Sequence, residues 1–240
     1  KLHEIPQIAD TVTVLRDGHM IGKVNTEDVQ HKDILSMMFG NVAIRKRPAD
    51  IIPQDEVVLK VENLTREGKF KNVSFELHKS EVLGIAGMLG SGRTELLKSI
   101  FGADPYDSGD IYVNGEKVKH KATPIAMKKH GLGLTPEDRK KEGLILIHSI
   151  QDNLCYASMS RTSIGWLENK RFRSKIADEQ VDGLQIKVPS VKASAGSLSG
   201  GNQQKVVVGN WLNTQPQIML YDEPSRGIDV AAKQQIFEIM

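Results

Sequence analysis

The stretch that most limits what this chain can become is Gly87-Met88-Leu89-Gly90-Ser91-Gly92-Arg93-Thr94. Its spacing is that of a phosphate-binding loop, with Arg93 standing where lysine is usual. Residues 81–86, Glu81-Val82-Leu83-Gly84-Ile85-Ala86, form a short apolar run suited to a buried parallel strand. After the loop, Leu96, Leu97, Ile100 and Phe101 recur on one helical face. Strand, glycine turn and helix start together aim backbone N–H groups at one point, with the positive end of a helix behind them. Phosphate is expected against Gly87, Gly90, Ser91, Gly92 and Arg93, and the Thr94 hydroxyl is expected on a magnesium ion.

A second motif supports this. Residues 217–223 read as an apolar strand ending in Asp222 and Glu223. Ligands of open α/β sheets lie beyond the carboxyl ends of the strands, which sets these acids beside the phosphate loop. Asp222 is expected to hold the magnesium through water, and Glu223 to polarise an attacking water. A third motif, Leu198-Ser199-Gly200-Gly201-Asn202-Gln203-Gln204-Lys205, is a glycine pair entering a helix over residues 202–211. It is a second anion site. Two phosphate sites so far apart in one chain suggest that two copies meet face to face, each capping the nucleotide of the other.

The rest of the composition narrows the class by exclusion. Lys plus Arg is 32 and Asp plus Glu is 30, a net charge of +2 that gives no nucleic-acid footprint. The single cysteine, Cys155, excludes an intrachain disulfide and a cysteine-based zinc cluster. There is no apolar run long enough to span a membrane. No G-x-G-x-x-G follows a strand, which argues against a dinucleotide-binding dehydrogenase. His120, His130 and His148 read as surface or turn residues, and Trp166 and Trp211 as packing residues. Phe70 is a candidate for stacking on adenine.

In order, residues 2–9 read as a helix and 11–15 and 20–24 as strands joined by a turn at 16–19. Residues 26–39 read as a helix capped by Thr26. Residues 41–56, with Pro48 and Pro53, read as a linker. A new domain begins near Val57 with strands at 57–61 and 73–77. Beyond the loop come a strand at 110–113 turning at Asn114-Gly115, a helix at 124–129 and a strand at 131–134. Residues 151–186 are helical in pattern, with Ser149 as a cap, and are read as part of an inserted helical subdomain over about 140–197. The opening on Lys1 and the stop at Met240, inside a helix, read as a fragment.

These motifs together resemble the ATP-binding cassette family. Residues 87–94 are similar to its Walker A loop, 218–223 to Walker B, 198–203 to the signature sequence and 224–229 to the D-loop. Arg93-Thr94-Glu95, Pro136-Glu137-Asp138-Arg139-Lys140, residues 199–205 and Arg226-Gly227-Ile228-Asp229-Val230 narrow the likeness. They resemble the second cassette of bacterial monosaccharide importers of the ribose, galactose, xylose and autoinducer-2 type. Residues 1–40 resemble the tail of the first cassette, and 57–240 most of the second. The resemblance implies an α/β P-loop fold: a mostly parallel central sheet, a small antiparallel β-layer and an inserted helical subdomain. It implies ATP and Mg2+ as ligands. Glu95 joins the phosphate side, and Ser199, Gly200, Gly201, Asn202, Gln203 and Asp229 face a second nucleotide. Glu137, with Asp222 and Glu223, joins the catalytic set. The implied partners are transmembrane permease subunits, the first cassette and, indirectly, a sugar-binding protein, at the cytoplasmic face of the membrane. No nucleic acid is implied. Residues 139–154 would lie near the coupling helix of the permease.

Two departures from the general pattern bear on activity. Arg93 keeps the charge of lysine but is broad and planar, and does not reproduce a compact ammonium between phosphates. Glu137 replaces the usual glutamine and adds a negative charge near the terminal phosphate. They imply two unequal sites, this one weak or slow. A non-hydrolysing regulatory module and a soluble cassette protein of DNA repair or translation are the alternative readings. Residues 1–24 resemble part of the segment that would follow Met240, and docking of this stretch against the 217–223 strand is a further expectation.

Overall fold

The computed structural model describes residues 4–16, 18–39, 51–164 and 167–240. Lys1, residues 2–3 of the first expected helix, Asp17 of the turn, 41–50 of the linker and Trp166 lie outside them.

The chain opens with a short helix α1 (Ile5–Ile8), strands β1 (Thr11–Arg16) and β2 (His19–Asn25), and helix α2 (His31–Phe39). The strands form a separate antiparallel hairpin. They share no ladder with the strand ending in Asp222, so docking there does not occur within the described chain. Thr26 does not cap a long helix. Its hydroxyl donates to the Ala9 and Asp10 carbonyls, a 3-10 turn covers Thr26–Asp28, and the helix proper starts later.

A four-stranded antiparallel layer follows, built from β3 (Val57–Arg66), β4 (Phe70–His78), β5 (Ser108–Val113) and β6 (Glu116–Lys117), in the order β4-β3-β5-β6. Alternation along β3 buries Leu59 and Val61, and a register shift after Val61 brings Leu64 into the core as well. Asn114 and Gly115, both at positive φ, make the tight turn between β5 and β6. Helix α3 (Arg93–Ile100) buries Leu96 and Ile100 against this layer. Helix α4 (Pro124–Lys129) starts with Thr123 as N-cap and proline in its first turn.

The parallel part of the sheet is smaller than expected. Strand β7 (Leu132–Thr135) pairs with β10 (Ile218–Tyr221), and among the described residues these two strands alone make up that sheet. Residues 81–86, whose apolar run predicts a buried strand, form no ladder. Val82 is 57% exposed and Ile85 36%. A parallel strand has no hydrogen bonds of its own and exists only beside a neighbour. Here a groove of about 890 Å3, lined by Val82, Leu83, Ile85, Leu220, Ile239 and Met240 among others, lies between this segment and β10.

The helical part holds α5 (Ile150–Cys155), a small hairpin of β8 (Ser163–Ile164) and β9 (Leu167–Glu168), and α6 (Lys170–Gly183). The expected run of helix from 151 to 186 is therefore interrupted by the hairpin. Helix α7 (Gly200–Leu212) ties the two halves together. Its Val206 and Val207 are buried with Ile150, Leu154 and Ile176, while Trp211 packs edge-on against Phe101 in the other core, 5.2 Å between ring centres. Helix α8 (Val230–Ile239) closes the described chain. No helix among the described residues is long and apolar enough to cross a membrane.

Candidate functional site: a glycine loop and its acids

The loop ahead of α3 is shaped by its glycines. Gly90 and Gly92 take left-handed φ values of 81° and 88°. A Cβ on Gly92 would sit 2.5 Å from the Lys69 carbonyl oxygen, and one on Gly87 would sit 2.4 Å from the Ser91 hydroxyl. At Gly92 the neighbour is backbone and only a glycine fits; at Gly87 the serine side chain would have to move. Gly92 is the N-cap of α3 and supplies no side chain to bind the first N–H groups of the helix. Those donors have no intrahelical acceptor and remain directed out of the helix end.

The acids arrive from β7 and β10. Because these strands are parallel neighbours, their carboxyl ends lie side by side, Tyr221 opposite Thr135. The Asp222 N–H donates to the Thr135 carbonyl at 3.0 Å and holds the turn after β10 in place. Thr94 Oγ1 then lies 3.2 Å from Asp222 Oδ1 and 3.3 Å from Glu137 Oε2. One hydroxyl joins residues 128 and 43 positions away in sequence. Asp222 is 4% exposed, and its Oδ2 has no hydrogen-bond partner. Burial pushes its carboxyl above the ordinary range; Glu223 adds to this, and the Thr94 hydroxyl works against it.

Glu223 adopts φ 45°, a left-handed conformation unusual for a residue with a side chain. Its Oε1 lies 3.1 Å from the Arg93 guanidinium. The guanidinium of Arg226 pairs in turn with Glu137. Gly87, Gly90, Ser91, Gly92, Arg93, Thr94, Glu137, Asp222 and Glu223 are thus gathered around the start of α3. Glu95 is turned aside: its Oε1 takes the Lys69 ammonium at 2.7 Å, which with its own backbone N–H holds its carboxyl below the usual range. Phe70 is half-buried against the first core, its Cβ 3.5 Å from where a Gly92 Cβ would lie.

The glycine pair belongs to a second assembly. Ser199 caps α7, its hydroxyl accepting from the Asn202 backbone and side-chain N–H groups at 3.5 and 3.1 Å. The Asn202 side-chain oxygen accepts from the Lys187 N–H, and the Gln203 amide donates to the Ala195 carbonyl. A Cβ on Gly201 would sit 2.4 Å from the Ala232 Cβ, so the start of α8 presses directly on this helix. Asp229 caps α8 by accepting from the Ala232 N–H at 2.8 Å. No hydrogen bond or ion pair among the described residues joins Ser199, Gly200 or Gly201 to the glycine loop. The connection runs instead through Arg139, whose guanidinium donates to the Arg226 and Gly227 carbonyls at 2.7 and 3.0 Å and abuts Gly200. Arg139 belongs to one of the stretches that carry the family resemblance, but spacing alone gives no hint of this bridging role.

A profile described as ABC transporter matches residues 70–226, well over half of the chain. The chain belongs to the ABC transporter family. It is 40% identical over its whole length to a ribose import ATP-binding protein RbsA of Bacillus cereus. It is 43% identical to the protein of that name from Clostridium tetani. In both cases it spans about half, 48%, of the relative. Among solved structures, a dimeric ATP-binding cassette in a post-hydrolysis state with ADP and phosphate superposes with a TM-score of 0.65. That match has 23% identity and covers 75% of this chain and 80% of the other. At that identity the likeness speaks for the fold: an ABC cassette of the P-loop class.

The fit of ATP and Mg2+ to these residues rests on the geometry. The Lys69 carbonyl leaves no room for a Cβ at Gly92, and the buried Asp222 Oδ2, beyond the oxygen that faces the Thr94 hydroxyl, has no protein partner. Hard oxygen donors of this kind suit magnesium.

Proposed function

We propose that this chain is the ATP-binding part of a bacterial monosaccharide importer, in which ATP binding and hydrolysis drive transport through membrane permease subunits. Residues 57–240 act as the second of two cassettes and 1–40 as the tail of the first. Residues 41–56 link them, and about 140–197 form the helical subdomain. The assembly sits peripherally at the cytoplasmic face of the membrane, served by a separate sugar-binding protein.

The observation that carries this reading is the meeting of Thr94, Asp222 and Glu137 at the head of α3. Backbone N–H groups of residues 90–94 would bind the β- and γ-phosphates. Thr94 and Asp222 would hold Mg2+, which when bound offsets phosphate charge and orients the terminal phosphoryl group. Glu223 orients and polarises the attacking water. Its partner Arg93 supports a slow site, since a carboxylate engaged by a guanidinium is less free to face the attacking water. Ser199, Gly200, Gly201, Asn202, Gln203 and Asp229 serve the nucleotide of the first cassette, and this half completes the more active site there.

Glu223→Gln in the full two-cassette protein tests the reading. A loss of ATPase activity of about tenfold or more is expected of a hydrolytic site. Unchanged activity favours the second reading, a nucleotide-binding regulatory module, for which the Arg93–Glu223 pair also speaks. The 240-residue chain by itself is expected to show no turnover, because each composite site needs two cassettes. Turnover by the purified chain that Ser199→Arg abolishes would overturn this.

A further inference from the structure

Between Glu116 and Glu137 the chain places five lysines, two histidines and no acid. Over the whole chain the charges nearly cancel, at +2, so this stretch is a local departure from a mixed surface. The structure keeps the charge in the open. Of the five lysines, only Lys117 has an ion-pair partner among the described residues, Asp110 at 2.7 Å. Lys119, Lys121 and Lys129 are exposed with no acid against them. Lys121 takes a φ of 60° in the turn that leads to Thr123, the cap of α4. The loop behind this turn meets it through the Tyr106–His120 ring contact, 4.7 Å between centres. The two acids of that loop are engaged elsewhere, Asp104 with Arg66 and Asp107 with the Glu67 N–H.

Helix α4 has two sides. Met127 is 1% exposed and belongs to the first core. Ile125, Lys128 and Lys129 share the opposite side, three and four positions apart, and Ile125 is 67% exposed. The Lys128 ammonium donates to the Ala157 carbonyl at 2.8 Å. That bond leaves its charge uncompensated and draws the loop after α5 alongside, where Met159 is 59% exposed. Large apolar side chains held out among unpaired ammonium groups suit an anionic bilayer. The ammonium groups meet the headgroups, and the apolar groups enter the boundary beneath them. A nucleic-acid surface calls instead for arginine forks and stacking aromatics, and residues 117–136 contain no arginine, phenylalanine, tyrosine or tryptophan.

We infer that Lys119, Lys121, Lys128 and Lys129, with Ile125 and Met159 among them, form a surface that docks on anionic phospholipid headgroups. The chain then touches the bilayer directly, and not only through permease subunits. This goes beyond the importer reading and involves none of the residues assigned to the nucleotide. One lysine near an anionic bilayer is worth about fivefold in partitioning, so three together are worth about a hundredfold. Contact of that strength is weak for a free chain, but it orients one that is already held at the membrane.

The test is sedimentation of the 240-residue chain with vesicles of equal parts phosphatidylglycerol and phosphatidylcholine, or of phosphatidylcholine alone. Binding to the first and not to the second is expected, and it should fall as NaCl is added. Lys119→Gln, Lys121→Gln and Lys129→Gln combined should weaken binding about a hundredfold. Ile125→Ser should weaken it about threefold or more. Lys79→Gln, Lys175→Gln and Lys192→Gln combined remove the same charge from exposed positions elsewhere, and should change it by less than about threefold. Binding of a fluorescent ATP analogue should be the same in every variant. Equal binding to both kinds of vesicle, or to neither, overturns the inference and leaves the nucleotide reading standing. An equal loss in the two triple variants overturns it as well. So does binding of a mixed-sequence DNA duplex that needs the three patch lysines while anionic vesicles stay unbound. Vesicle binding that follows the patch in a chain that takes no ATP analogue supports this inference and sinks the nucleotide reading alone.

Discussion

Arg93 shows how much a single side chain decides here. Its guanidinium reaches Glu223 at 3.1 Å, so the cation that should face phosphate is partly occupied by the acid that should face water. Arg93→Lys substitutes a compact charge on a flexible stem. It is expected to tighten binding of a fluorescent ATP analogue about tenfold, the effect of roughly 1.4 kcal/mol from one charge-assisted contact. Gly92 is the opposite kind of residue, important for what it lacks. Gly92→Ala drives a Cβ to 2.5 Å from the Lys69 carbonyl oxygen at a φ of 88°. A loss of about 1–3 kcal/mol is expected in urea unfolding, along with loss of nucleotide binding. Glycine spacing made the second of these residues legible without coordinates. The Arg93–Glu223 pair was not legible, because it joins positions 93 and 223 through a left-handed backbone turn that nothing in the local sequence announces.

At the scale of elements, caps decided most boundaries. Thr123, Ser149, Asn169, Ser199 and Asp229 each accept a backbone N–H at the start of a helix. Ser149 forms a full capping box with Asp152, and Ser149→Ala should cost about 1 kcal/mol in thermal or urea unfolding. Asp152 also takes the Arg173 guanidinium. Burial raises its carboxyl, but hydrogen bonding from Ser149 and the charge of Arg173 outweigh this and hold it below the usual value. The folded state therefore favours the carboxylate. This stabilisation is present above the ordinary carboxylate range and is lost as pH falls through the depressed value. Urea midpoints should fall on acidification below about pH 4, and fall less in Arg173→Met. Gly201 makes the contact between α7 and α8. Gly201→Val is expected to lose about 1–3 kcal/mol through overpacking on Ala232, read from the unfolding midpoint. The element that periodicity misjudged is residues 81–86. Their apolar run is suited to a strand, but a parallel strand must lie against a neighbouring edge, and the groove holds this segment apart from the free edge of β10.

At the scale of the molecule, α7 connects two cores, and Cys155 reports on the second. Its thiol is 1% exposed and burial pushes it up from its ordinary value. Labelling by a thiol reagent at neutral pH should be slow in the native chain and become fast only when the helical part opens. Rapid native labelling would contradict the packing described. Arg139 works at the same scale, tying the turn after β7 to the carbonyls of residues 226 and 227 and to Gly200. By itself the sequence determined the glycine turn, the acid pair, the Ser149 cap and the family they resemble. Each of these is written in neighbouring residues, as spacing, periodicity or a cap. Tertiary structure alone decided which acid meets which base, that Glu95 turns away to Lys69, that Thr94 stands between two carboxylates, and that residues 81–86 stay unpaired. These depend on contacts between residues tens to more than a hundred positions apart, and such contacts exist only once parallel strands have set the ends of the chain's segments side by side.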